Sequence, residues 1–507
     1  MTALAIPRIV APRPLLPRGL ETPGRAPRRS AVHTLALGLV WLAVASGSIV
    51  FTEPAPTDAL TIAAIVLLPV VGLVAFRPAH VALAAVWLVI VAGGFVAAID
   101  ASDWADATRH TAISLYLAAA SVVLAGFVSL KPAAHARLLL DAHLAGCIVA
   151  AIAGLVGYFD IVPEARDLFV KFERASGPFK DPNVFGPYLV PGLVYALHLW
   201  IVRPMHRGLL PALLVAVLSL ALLVSFSRGA WASAALAIGV YLYFSFVTTR
   251  RDRDRIRIIA LCTSGLALIV PLLMLALQHD AIGNLFAQRA TLTQSYDIGP
   301  EGRFGGQQKA IDLVGSHPLG LGALEFPRRH HHEDVHNVYL SMYLNAGWIG
   351  GSFFLSLMAA LLVLGLAHAL RRSETSGLYL VAYSAFAANA LVGAVIDTDH
   401  WRHLYLLIAL VVGLMASRRR ATARQPRIVA DRRPLLLRRV VVIGPSRRAP
   451  RIVRRDAVVV DLFPDPLRHR PLGGFKRAAR LLGPVQPKRP PRLLGRSLVA
   501  RRAKIAP

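Results

Sequence analysis

Apolar runs of about 18 to 22 residues recur between positions 34 and 416, and no other feature constrains the fold so tightly. Each is as long as a helix that crosses a hydrocarbon layer of roughly 30 Å, and together they are too many to share one soluble core. They fall at 34–51, 58–76, 79–99, 111–130, 138–159, 183–202, 208–226, 229–247, 256–277, 346–370, 378–395 and 402–416, which gives about 12 spans. The expected fold is therefore all-α, a polytopic transmembrane helical bundle.

The formal net charge of +28 would point to a nucleic-acid binder in a soluble chain, but here it follows topology. Arg and Lys collect in alternate joins: Arg77, Lys131 with Arg137, Arg203 with Arg207, Arg250 to Arg257, Arg371 with Arg372, and Arg418 to Arg420. By the positive-inside bias that side is cytoplasmic, as are both termini. No nucleic-acid partner is implied. Residues 1–32 and 417–507 are rich in Arg and Pro and are expected to be disordered basic tails, the second in reach of anionic membrane lipids. Short strands at 440–443 and 458–462 are the only order expected there. Cys147 and Cys262 both lie in apolar runs, so neither a disulfide framework nor a thiolate metal site is indicated.

The transmembrane domain, 33–416, then places its motifs on the outer side. Its one long polar join, 278–345, carries Gly302-Arg303, the turn His317-Pro318-Leu319-Gly320-Leu321-Gly322, and His330 to Asn337. A short amphipathic helix is expected from Phe304 to Val314, and the chain re-enters the membrane at Val338. A neutral imidazole at His336 has the pKa range to take a proton from a hydroxyl near neutral pH. Adjacent His330, His331 and His332 do not share a face of a regular element, so no metal is assigned to them.

Three shorter outer joins add to this. At 171–186, Asp181 is a good helix cap and Pro182 a good first helical residue, while Arg174, Lys180 and Asn183 at that helix mouth suit a phosphate. The turn Ser225 to Trp231 holds Arg228 against the charge bias, either as a functional cation or as an interfacial Arg beside Trp231. The turn Asp397 to His403 packs carboxylates, imidazoles and Arg402 into a few residues, as an interfacial belt or as site lining.

Taken together, Gly177 to Asn183, Ser227-Arg228-Gly229, Gly302-Arg303 with Ser316 to Gly322, and His336 to Leu340 with Gly347 to Gly350 resemble the O-antigen ligase and polymerase superfamily. The resemblance spans roughly 34–416. It implies a bacterial inner-membrane glycosyltransferase with a periplasmic active face. It would act in lipopolysaccharide or exopolysaccharide biosynthesis on a glycan carried by undecaprenyl diphosphate. The acceptor would be a glycan or the lipid A core, other polysaccharide export components would be partners, and no cofactor is needed.

Matched residue by residue, the family's two arginines and histidine fall on Arg228, Arg303 and His336. The arginines would hold the departing diphosphate without a metal, and His336 would orient or deprotonate the acceptor. Substrate contacts are expected from Lys180, Asn183, Arg174, Asn337, Asp399 and Arg402. Asn345 stands where the family often has an acidic residue, and the 397–403 turn resembles exopolysaccharide-associated members, which favours polymerisation over ligation. The alternative is a transporter or flippase for a lipid-linked oligosaccharide or an anionic solute. It would need polar residues at mid-membrane, and the spans carry few.

Overall fold

The computed structural model describes residues 31–250, 252–278, 283 and 299–417, and both expected basic tails, with the strands at 440–443 and 458–462, lie outside them apart from a few residues at their edges. Among the described residues the chain is helical, with one two-stranded exception. Twelve helices of 15 residues or more occupy the positions of the expected runs. They are α1 (Ala31–Ala45), α2 (Pro56–Val70), α3 (Pro78–Ala97), α4 (Trp104–Leu130), α5 (Pro132–Tyr158), α7 (Pro182–Val202), α8 (Leu209–Val224), α9 (Arg228–Thr248), α10 (Asp252–Leu277), α13 (Val338–Ala369), α14 (Ser376–Val392) and α15 (Arg402–Ala416). Three shorter helices sit in the joins: α6 (Ala165–Phe169), α11 (Arg303–Ser316) and α12 (Glu325–Arg329). Among the described residues seven helices are long and apolar enough to cross a membrane, and four of the others are apolar but shorter.

Local sequence explains where the helices begin. Pro56, Pro78, Pro132 and Pro182 each take a first helical position, where the missing N–H costs nothing. Asp103, Asp181, Ser227 and Asn337 cap α4, α7, α9 and α13 by accepting backbone N–H groups of the first turn. α2 stops at Val70, six residues short of the expected run, because after Pro69 the Leu73 N–H turns back to the Leu68 carbonyl (2.9 Å). The segment then leaves the helix and pairs Ala75 N–H with the Gly126 carbonyl (3.0 Å).

The main core is an apolar cluster drawn from nearly all the spans, with α4 packed along α15, α3 along α13, and α9 along α14, and a smaller cluster of Ala310, Leu321, Phe326, Val335 and Leu344 lies under the loop. Large apolar side chains such as Val66, Leu88 and Val363 face outward instead, as a bundle in lipid requires. Three buried imidazoles bond nearby groups: His135 the Phe127 carbonyl (2.6 Å), His143 the Tyr188 carbonyl (3.2 Å) and His198 the Tyr241 hydroxyl (2.8 Å).

The expected outer joins all meet at one end of the bundle. Val50 N–H bonds the Pro178 carbonyl, Arg174 reaches Ser225, Ser102 and Asp106 bind Glu325 and Arg328, and His336 bonds Asp397. The start of each of α2, α4, α7, α9, α13 and α15 is at this end. At the opposite, Arg-rich end Arg77 donates to the carbonyls of Ala416 and Ser129, and Arg257 to that of Trp200.

Candidate active site at the outer end

α11 covers the whole of the expected 304–314 helix, and α13 begins at Val338, where re-entry was expected. α13 is two helical pieces. Between them Gly347 takes φ +69°, and a Cβ there would lie 2.8 Å from the backbone of Pro318 and Leu319. The 317–322 turn thus wedges into the break. Trp348 N–H bonds the Pro318 carbonyl (2.9 Å) and Leu321 N–H bonds the freed Leu344 carbonyl (2.7 Å). Gly320, at φ +89°, lets the turn come this close, since a Cβ would lie 2.6 Å from Leu344 O. The wedge sets the angle of the first piece, which carries His336 and Asn337 at its mouth.

His336 sits in a left-handed backbone conformation (φ +52°), rare for a residue with a Cβ. Three contacts hold it there. Its N–H donates to Asp397 Oδ2 (2.8 Å), its carbonyl accepts from Gln307 Nε2 of α11 (3.1 Å), and its Nε2 lies 3.4 Å from Glu333 Oε2. Burial and then the charge of Arg303 depress its pKa below the usual 6.5, so it is a neutral base near neutral pH. Asn337 is spent on capping α13.

Behind His336 lies a carboxylate pair with divergent pKa values. Asp397 also accepts from the Ser341 hydroxyl; its burial and the nearby Asp399 charge push it up to about 7. Burial alone would raise Asp399 too, but the hydrogen bond from His110 Nε2 (3.2 Å) and the neighbouring imidazoles hold it well below the usual carboxylate range. His400 stacks on His110 at 3.8 Å, reaches the Ser114 hydroxyl (3.0 Å), and is pushed down to about 4 by burial. Such pairs, split by environment, mark sites that move protons.

The residues around α7 form the other half. Lys171 to Arg174 is a two-residue-strand hairpin, β1 (Val170–Lys171) with β2 (Arg174–Ala175), turning through Phe172 and Glu173 in left-handed backbone. It presents Arg174, 6% exposed, to Ser225 O (2.8 Å) and Asn183 Oδ1 (2.7 Å). Arg174 and Asn183 therefore bind each other and brace the turn that delivers Arg228. Lys180 lies 3.4 Å from Glu53 and is half exposed. Arg402 makes a bidentate pair with buried Asp58 (2.6 and 2.8 Å), where the Tyr116 hydroxyl also donates, and reaches Glu53 at 3.7 Å.

The two halves join through α14. Gly229, next to Arg228, packs on Val392, and Gly393 accepts the N–H of Val338 (2.8 Å), two residues after His336. Of the residues singled out in the sequence, Arg303 lies near enough to His336 for its charge to act on it, Arg228 opens the helix that packs along α14, and Lys180 is half exposed and paired with Glu53. Arg174, Asn183, Asn337, Asp399 and Arg402 are engaged in the framework around them. Sequence reasoning did not single out Gln307, Asp58 or His110 as site residues, and it named Asp397 and Glu333 only as part of the 397–403 turn and the 330–337 segment. A lone acid heading an apolar run (Asp58), or a His and Ser four apart at a span's mouth (His110, Ser114), was the available signal.

What the fold and site define is a polytopic helical membrane protein with cations, a neutral imidazole and two carboxylates of divergent pKa gathered at one end. The family model described as O-Antigen ligase matches residues 213–355, from α8 to just past the break in α13, so this segment of the chain is similar to that family. The match is about a quarter of the chain and contains Arg228, Arg303 and His336. It supports a membrane enzyme of polysaccharide ligation, and the resemblance read from the motifs holds. No curated protein matches the chain.

Proposed function

We propose that the protein is an inner-membrane glycosyltransferase that moves a glycan from undecaprenyl diphosphate to a hydroxyl acceptor on the periplasmic side. Arg228 and Arg303 bind the diphosphate and take up the charge that grows on it as the glycosidic bond breaks. His336 removes the acceptor proton, and one direct displacement inverts the anomeric carbon. The chemistry at these residues uses no metal. Lys180 extends the cationic surface towards the carrier or glycan, while Arg174, Asn183, Asp399 and Arg402 position the elements around it.

The observation that carries this reading is His336 itself. It is a neutral imidazole pinned at its backbone by Asp397 and Gln307 and electrostatically coupled to Arg303, within the family match.

His336→Ala should abolish long surface glycan on a gel while the protein stays at normal membrane level, and wild-type polymer length would reject the assignment. Deletion separates the two acceptor classes. Loss of secreted polymer with lipid A-linked glycan intact means polymerisation, and accumulation of full-length carrier-linked polymer means ligation.

A further inference from the structure

The consecutive histidines at the end of the outer loop converge, because α12 has ended and the chain turns there. His332 Nδ1 lies 3.5 Å and His331 Nε2 4.0 Å from the same oxygen, Glu301 Oε2, and the two rings are 4.5 Å apart. All three ligand atoms fall within 4.8 Å of one another. His331 is the decisive residue. Its side chain is fully buried, its ring stacks on Phe326, and its Nε2 has no hydrogen-bond partner among the described residues. Its other nitrogen lies 3.3 Å from the Glu333 carbonyl and 3.2 Å from the Glu333 N–H. Without an ion, Nδ1 accepts that N–H and Nε2–H faces Glu301 from 4.0 Å, beyond hydrogen-bond reach. With an ion, the ring takes the other tautomer, which donates from Nδ1 to the carbonyl and turns the Nε2 lone pair to Glu301. Space for the ring exists because residue 306 is Gly: a Cβ there would lie 3.2 Å from it.

We propose that Glu301, His331 and His332 bind one zinc ion. Two imidazoles and a carboxylate with a position left for water suit zinc, and the donor atoms, within 4.8 Å of one another, would draw together to the roughly 3.4 Å that bonds of about 2.0–2.2 Å set between ligands of one tetrahedral zinc. Lys309 holds the other Glu301 oxygen (3.1 Å), which leaves Oε2 to the ion. The ion is a clamp and takes no part in transfer. It joins the segment just before Arg303 to the segment that ends in His336. On the reading of those two residues given above, it fixes the separation of the diphosphate-binding cation and the base.

The test is a zinc titration of the full-length protein, free of any polyhistidine tag, in nanodiscs, after chelator treatment and against a chromophoric chelator. One zinc per chain is expected, with affinity weakened at least about tenfold by His332→Ala and by Glu301→Gln and unchanged by His330→Ala. Glu301 is exposed, so its variant keeps the test open if the histidine variant fails to fold. The absence of stoichiometric zinc from the wild type overturns the proposal and leaves the transferase reading standing. So does zinc that survives His332→Ala but is lost in His400→Ala, which would move the site to His110, Asp399 and His400.

Discussion

Replacing Asp397 by Asn should make the protein more stable in alkaline solution and leave it nearly unchanged in acid. The Asp397 carboxyl is pushed up to about 7 from an ordinary 3.8, so the folded state keeps a proton that the unfolded chain has already released. Between about pH 4 and pH 7 the unfolded state therefore binds fewer protons, and the wild type loses stability as the pH rises through that window. At about 1.4 kcal/mol per pH unit the gap between the two values is worth about 4 kcal/mol, and because Asp397 is only partly buried a working range is about 2–4 kcal/mol. Asn carries no charge, and its Oδ1 can still accept the His336 N–H that Asp397 now accepts. Melting temperatures in detergent at pH 5 and pH 8 check this. The variant's advantage should be full at pH 8 and fall to roughly a third of that at pH 5. An equal effect at both pH values would refute the claim that a strained charge is stored there.

Three further outcomes follow from the same geometry. Arg402→Gln strands the buried Asp58 carboxylate and should cost about 3–5 kcal/mol, with much of the loss recovered when Asp58→Asn is added, read as thermal unfolding of the single and double variants. Gly347→Ala forces a left-handed residue against the Pro318 and Leu319 backbone; a loss of about 1–3 kcal/mol is expected together with reduced transfer, since the segment bearing His336 must move. The acid limb of the pH–activity profile should lie below 6.5, because a base acts only once deprotonated. Arg303→Gln should move that limb to higher pH in the residual activity by removing a charge that depresses His336.

The bundle was legible because membrane spans are long and their ends are chemically marked. Asp181 with Pro182, Ser227 and Asn337 announce helix starts that the structure contains, and each cap is a matter of three or four neighbouring residues. The break at Gly347 was foreshadowed by a gap between the re-entry and the following run. The 170–175 hairpin was not legible, since two-residue strands carry no alternation and the turn depends on left-handed Phe172 and Glu173. Arg402 could be recognised as a cation at a span's mouth, but not as the partner of Asp58, which lies 344 residues away in sequence. Nor could adjacency in sequence show that His331 and His332 face one carboxylate. Regular elements send neighbouring side chains apart, and only an irregular turn brings them together.

The most direct measurement of the central claim is release of undecaprenyl diphosphate from the native lipid-linked donor by protein reconstituted in nanodiscs, with acceptor present, for wild type and His336→Ala. The account predicts steady release by the wild type and a loss of about 10²–10⁴-fold in the variant, with donor binding retained through Arg228 and Arg303. Release by His336→Ala at the wild-type rate would contradict it.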